Sequence, residues 1–413
     1  ASHFVVNFPP SITESTKAQM MASLRAIGLM VLLGISLLRA QQFEGNYRLF
    51  EFSMKEGEYA ELIHEVGKKI DVKPTAASLN GQPIQVTRLH VRGQSSLFFR
   101  RKSFTLHLAK GHPIYLQTPQ GTKKLADKFY LLSLSMDRHY FHNRLAFLCL
   151  NELGLFPLFN AYAEVRINGE SQGVYLIVEK PEDYVLDELK GVFILRVGPK
   201  HQVDEYSAKK SLSRREVKSY LQAFRQIKKV CRKASGRELQ QALSELMDLE
   251  AYMKWLAFNY WVHNGDYSDE VYYYALKHRK SPLFSMLPWD YDDIFVSRPH
   301  EGWKLRNRRI GQAMIFSSED LPGRTIARDS LLYRQYLQVF KEVLDRLPNE
   351  KLEAFFRQID EELTPYFSKA EVVDASRYDQ RGPSTLEDIR KDMQDKLELM
   401  KNQREGYRVI LGN

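Results

Sequence analysis

Two hydrophobic rhythms divide this chain and limit what it can fold into. In the first half apolar residues recur at every second position. This holds from Val86 to His90 and from Ser103 to Leu108, where Phe104, Leu106 and Leu108 face one way and Ser103, Thr105 and His107 the other. Ala163, Val165 and Ile167 repeat it. Such a period belongs to half-buried strands. Asn168-Gly169 is a two-residue turn into a returning strand, Gly173 to Val178, so a hairpin is expected. Phe141, Leu145, Leu148, Cys149 and Leu153 predict a helix over 139–154, closed by Gly154 and Pro157. From about Ser213 to Val262, and again beyond Asp329, the period is helical, interrupted by strand-like runs at Val271–Leu276 and Leu283–Leu287. The expected class is α+β, a strand-rich half followed by a mostly helical one.

Composition removes several kinds of function. With 44% hydrophobic residues over 413 positions the chain is neither disordered nor fibrous. Two cysteines, Cys149 and Cys231, exclude a disulfide framework and a cysteine-rich zinc module. The net charge of +9, or +7 once the net +2 of residues 1–40 is set aside, suits anionic ligands or an acidic surface. The densest basic stretch, Lys209 to Arg237, carries Leu221, Phe224, Ile227 and Val230 at helical spacing and no interleaved stacking aromatics, so it is expected to be a solvated helix face and no nucleic-acid partner is expected. Near the start, Arg25, the 13-residue apolar run Ala26–Leu38 and Ala40 resemble a signal peptide over about 21–40, with translation starting at Met20 or Met21. That run is too short to span a bilayer. Residues 41–413 are then expected to be secreted, periplasmic or in the cell envelope, with no stable membrane span after cleavage.

Three segments carry chemistry. Arg92-Gly-Gln-Ser-Ser96, followed by Arg100-Arg-Lys102, offers a glycine turn, two hydroxyls and nearby cations, either a phosphate-binding turn or an ordinary exposed one. His263-Asn-Gly-Asp266, with Asp269-Glu270 close behind, ends a helix, and Pro288-Trp-Asp290-Tyr-Asp292-Asp293 follows a strand. The two short strands between these acidic clusters would pair and bring both clusters to one end, where carboxylates suit a hard divalent cation. Turn chemistry accounts for the first cluster equally well and for the second poorly, because aromatic residues flank its acids.

Together these residues carry a resemblance. Arg92-Gly-Gln-Ser-Ser96 with Lys102-Ser-Phe104, the hairpin Ile167-Asn-Gly-Glu170 to Gly173-Val-Tyr-Leu-Ile-Val-Glu179-Lys180, Asn264-Gly-Asp266 and Pro288-Trp-Asp290-Tyr-Asp292 resemble, in order and spacing, the landmarks of the spore coat protein H (CotH) family. The resemblance implies an atypical protein-kinase-like, two-lobed fold: a strand-rich N-lobe over 41–181 and a helical C-lobe over 182–413, with the acidic hairpin at 263–293. It implies transfer of the ATP γ-phosphoryl group to Ser or Thr of a protein acceptor, with ATP and Mg²⁺ or Mn²⁺ as cofactors. By the same resemblance Arg92, Gly93, Ser95, Ser96 and Lys102 would hold the phosphates and Glu179 would sit near the adenine. Asp266 would act with Lys102 in catalysis, and Asp290, Asp292 and Glu270 would bind metal. Glu152 is a weak candidate partner for Lys102; a solvated helix-end residue is the simpler reading. The chain departs from the family where an asparagine usually helps bind the second metal, since Glu270-Val271 stands there. That departure, and the scarcity of ATP outside the cytoplasm, keep open a non-catalytic surface or coat interaction module. A metal-dependent phosphohydrolase is a third, weaker reading.

Overall fold

The computed structural model describes residues 47–118, 121–198, 202–268, 271–276, 282–379 and 381–412. The leader segment and Glu270 lie outside the described residues.

Nine strands form the main sheet. In chain order they are β1 (Leu49–Ser53), β2 (Asp71–Val72), β3 (Ala76–Leu79), β4 (Gln82–Pro83), β5 (Val86–Arg92), β6 (Ser103–Leu108), β9 (Lys128–Leu132), β10 (Asn160–Ile167) and β11 (Glu170–Glu179). The separate hairpin β7 (Tyr115–Thr118) and β8 (Gly121–Lys124) accounts for the gap in numbering. Spatially the order is β2-β5-β6-β9-β11-β10-β1-β3-β4, antiparallel except where β1 runs parallel to β10. The β10–β11 hairpin turns at Asn168 and Gly169, with φ of 51° and 83°. Two consecutive left-handed residues make the tight turn that Asn-Gly favours.

Alternation along the strands divides the core. Tyr175 and Ile177 of β11 join Phe104, Leu106 and Leu108 of β6 on one face, covered by Tyr59 and Leu62 of α1 (Glu56–His64). Val174, Leu176 and Val178 point to the other face, against α2 (His142–Glu152) and the helical half. The half-buried pattern expected for β6 needs correction. Ser103 and Thr105 are buried too, because the sheet is covered on both sides, and Ser103 is satisfied by hydrogen bonds with Ser133. The helix expected from 139 begins at His142, after a 3₁₀ turn in which His139 and Tyr140 have positive φ.

The second half packs helices around a smaller antiparallel sheet. Its strands, β12 (Phe193–Gly198), β13 (Gln202–Ala208), β14 (Tyr272–Ala275) and β15 (Phe284–Leu287), lie in the order β13-β12-β14-β15. Helix α3 (Arg214–Lys233) starts with a Ser213–Glu216 capping box and buries Phe224 and Ile227, leaving most of its basic residues outward. Helix α4 (Gly236–Leu246) follows, then α5 (Leu249–Trp261), buried on nearly every side. Helices α6 (Gly302–Ile310), α7 (Leu321–Arg328), α8 (Ser330–Arg346), α9 (Asn349–Phe367), α10 (Ala370–Ala375) and α11 (Leu386–Ile410) complete the chain. Cys149 on α2 and Cys231 on α3 are buried free thiols, both pushed up by desolvation, Cys231 to about 12. Among the described residues no helix is long and apolar enough to cross a membrane. The chain is a mixed α/β protein.

Candidate functional site

The two acidic loops leave the same end of the β14–β15 hairpin and are zipped together by backbone hydrogen bonds. Gly265 N–H donates to Asp293 O at 2.9 Å, Phe295 N–H to Val262 O at 2.7 Å, and Val296 N–H to His263 O at 3.3 Å. Asn264 is buried; it donates to Asn259 Oδ1 and accepts the Asp266 N–H at 3.1 Å. Gly265 is required by this approach: a Cβ there would lie 2.3 Å from Asp293 Oδ2 and 3.1 Å from Val296 Cγ2. Asp266 is exposed and faces His300, whose Nδ1 is 3.6 Å from its Oδ1 while Nε2 is 2.8 Å from Asp293 Oδ2. His300 thus bridges the two loops.

In Pro288-Trp-Asp-Tyr-Asp-Asp293 the aromatic residues are anchors. Trp289 and Tyr291 are buried against Phe147, and between and beside them Asp290, Asp292 and Asp293 are left half-buried at the surface. Asp290 reaches its position with φ of 55°, and His263 and Phe295 of the joined loops also have positive φ. Such conformations cost energy and persist only where the surroundings enforce them. The enforcing contacts come from the start of α2. Asn143 Oδ1 accepts the Tyr291 N–H at 2.9 Å, and His142 Nδ1 meets Asp292 O at 3.3 Å, which requires the proton on Nδ1. Asp137 fixes this corner, accepting from His142 N–H, Asn143 N–H and Asn143 Nδ2. Burial pushes the Asp137 carboxyl up to about 7 and holds His142 down to about 3. None of Asp137, His142, Asn143 or His300 was marked by the sequence; each works through a partner distant in the chain or in an unmarked loop.

The basic segment meets this region through aromatic rings. Arg92 stacks its guanidinium 3.9 Å above the Tyr130 ring, and Lys180 Nζ lies 5.9 Å from the same ring. Tyr130 in turn sets its edge against Trp289, with centroids 5.8 Å apart. Gly93 has φ of 110°, and a Cβ would fall 1.9 Å from Ser96 Oγ, so the turn needs glycine. Ser95 and Ser96 open a 3₁₀ turn, Ser95–Phe98, with Ser95 exposed and Ser96 half-buried. Lys102 is buried and donates to Leu97 O at 2.7 Å, beneath that turn; desolvation lowers its pKa. Glu152 stays apart from it, paired at 3.0 Å with Lys351 at a helix end. Glu179 is buried at the end of β11, 2.5 Å from Lys123 Nζ, and accepts the Phe159 N–H at 2.7 Å; burial raises its pKa.

Both other members of the Arg100-Arg-Lys102 run are held by Tyr378 and Asp379, far along the chain. Arg100 lies 4.0 Å above the Tyr378 ring. Arg101, fully buried, pairs with Asp379 and donates to Gln172 O and Val174 O; Tyr140 also donates to Asp379.

The family described as CotH kinase protein matches residues 89–402, a span that includes every segment above. The chain belongs to that family. A CotH relative, the inner spore coat protein H of Bacillus subtilis (strain 168), is 24% identical over 266 residues, covering 60% of this chain and 69% of the relative.

Among the described residues no group of three or more His, Cys, Asp and Glu side chains forms a ready-made metal cage. The donor chemistry nevertheless fits Mg²⁺, which takes one or two carboxylates and completes its shell with water and phosphate oxygens. Asp290 and Asp292, carried on one enforced loop, are the residues that would hold it.

Proposed function

We propose that this CotH-family chain is a protein kinase that transfers the γ-phosphoryl group of ATP to a Ser or Thr hydroxyl of a coat or extracytoplasmic protein. The nucleotide would lie between the main sheet and the helical half, the two lobes of a kinase-like fold. The observation that carries this reading is the meeting of cationic and acidic segments around one aromatic contact: Arg92 and Lys180 on Tyr130, Tyr130 on Trp289, and Trp289 adjoining Asp290. Phosphoryl transfer asks a protein mainly for positioning and charge neutralisation.

In this reading the Gly93 turn, with Ser95 and Ser96, offers backbone N–H groups to the phosphates, and Arg92 neutralises them. Lys102 supports the turn from below through its bond to Leu97 O and adds positive charge beside the phosphates. Glu179 borders the adenine end. Asp266, steadied by His300, accepts the hydroxyl proton as the acceptor oxygen bonds to phosphorus and the bond to ADP breaks. Asp290 and Asp292 would hold Mg²⁺, which would supply charge neutralisation on the phosphate oxygens.

Residues 41–413 incubated with labelled ATP, Mg²⁺ or Mn²⁺ and a generic acceptor protein test this. Metal-dependent label should appear on the chain or the acceptor and fall by at least about a hundredfold in Asp290→Ala, with circular dichroism unchanged. If neither label nor a nucleotide-induced rise in melting temperature is seen, the kinase reading fails in favour of a coat interaction module on the same fold. Phosphate release without a protein acceptor would point instead to a phosphohydrolase.

A further inference from the structure

Away from the candidate site, the turn joining α3 to α4 and the helix α7 enclose an open cavity of about 480 Å³. Its wall includes three arginines, Arg232, Arg324 and Arg328, with the half-buried Leu321 and the buried Leu239 beside them. None of the three arginines forms an ion pair among the described residues. Arg328 Nε donates to the Arg309 carbonyl, and Arg324 Nε is buried without a hydrogen-bond partner. The one carboxylate in the lining, Asp329, is already spent on the N–H groups of Gly236, Leu331 and Leu332.

Clustering like charges around a hollow costs energy in the empty protein, and an anion repays it. Guanidinium groups match phosphate oxygens in geometry as well as charge. We propose that this pocket binds a phosphate monoester, carried on a phosphorylated Ser or Thr side chain of a polypeptide. A phosphoserine brings a charge of about −1.5 to −2 at neutral pH and so balances three arginines better than a single carboxylate would. The volume exceeds what a lone phosphate fills, and the half-buried Leu321 offers contact to the carbon atoms of a peptide. Burial, with the neighbouring Arg309 and Arg328 charges outweighing Asp320 and Glu301, holds the Arg324 guanidinium below its ordinary pKa. The pocket shares no residue with the acidic loops or the Gly93 turn, so this inference stands or falls independently of the kinase reading.

The test is fluorescence anisotropy on the full chain at low salt, using a labelled phosphoserine peptide, its unphosphorylated twin, and inorganic phosphate as competitor. The phosphopeptide should bind at least tenfold more tightly than its twin. Arg324→Gln should weaken it roughly tenfold or more, and the exposed Arg232→Gln, which leaves packing untouched, should weaken it less. Asp290→Ala should leave it unchanged. Inorganic phosphate displacing the peptide only at much higher concentration supports a peptide ligand. Phosphate competing at equal concentration would overturn the peptide and leave a small-anion site. Equal binding of the two peptides, no change in either arginine variant, or loss of binding in Asp290→Ala would overturn the pocket itself.

Discussion

Buried without a cationic partner among the described residues, the Asp137 carboxyl accepts three hydrogen bonds from the start of α2 and is still pushed up to about 7 by desolvation. Its pKa is raised on folding, so the folded chain binds more protons there than the unfolded chain between its ordinary value near 3.8 and about 7. The contribution to stability is therefore full below that window and is lost as pH rises through it. His142, held neutral down to about 3, acts in the opposite sense below its ordinary 6.5, its share being lost as pH falls. The wild-type curve alone would hide both effects. Melting temperatures of wild type and Asp137→Asn compared from pH 4 to 7.5 should show the wild-type advantage shrinking as pH rises; a constant gap would refute the assignment. The Arg101–Asp379 pair gives a second residue-scale prediction. Asp379→Ala leaves a buried guanidinium unpaired and should cost about 3–5 kcal/mol in urea unfolding, whereas replacing both partners by apolar residues should cost less than the two single changes together.

Elements decide how the acidic loops are held. The Asn143→Ala change removes the acceptor for Tyr291 N–H and one donor to Asp137, and should destabilise by about 1–3 kcal/mol. It should also weaken metal-dependent nucleotide binding, because the loop carrying Asp290 loses its tether; thermal shift with and without Mg²⁺–ATP reads both. In Gly265→Ala the new methyl group meets Asp293 Oδ2 and must part the two loops, so activity should drop more than stability does. An unchanged rate would show that the loops need not touch. At this scale the sequence was informative in a particular way. The β6 bounds and the Asn168-Gly169 hairpin were readable because a two-residue period and a left-handed turn are local properties. The acids of the two loops were readable as types. Their setting was not: Asn143 meets a residue 148 positions away and His142 one 150 away, and nothing local marks either as a partner. The burial of Ser103 and Thr105 escaped for a similar reason, since coverage of the second sheet face is a tertiary fact.

Across the whole molecule, segments far apart in sequence converge on the main sheet and the acidic loops. Helix α9 is tied to α2 by the Arg144–Glu362 pair at 2.6 Å, and Trp261 at the end of α5 donates to Met400 O on α11. Chelation should therefore act locally: EDTA should abolish label transfer and nucleotide-induced stabilisation while leaving the melting temperature of the nucleotide-free chain within about a degree, because apolar packing and pairs such as Arg144–Glu362 hold the described core. A large drop on chelation alone would instead assign the acids a structural ion.

The clasp formed by Tyr378 and Asp379 on Arg100 and Arg101 also bears on timing. A ribosome delivers the arginines long before their partners, and until residue 379 emerges the Arg101 guanidinium has no carboxylate to enter the sheet with. The segment beside the Gly93 turn therefore cannot complete its pairing until most of the chain has been made, and a chain clipped before residue 379 lacks the carboxylate that the buried Arg101 needs.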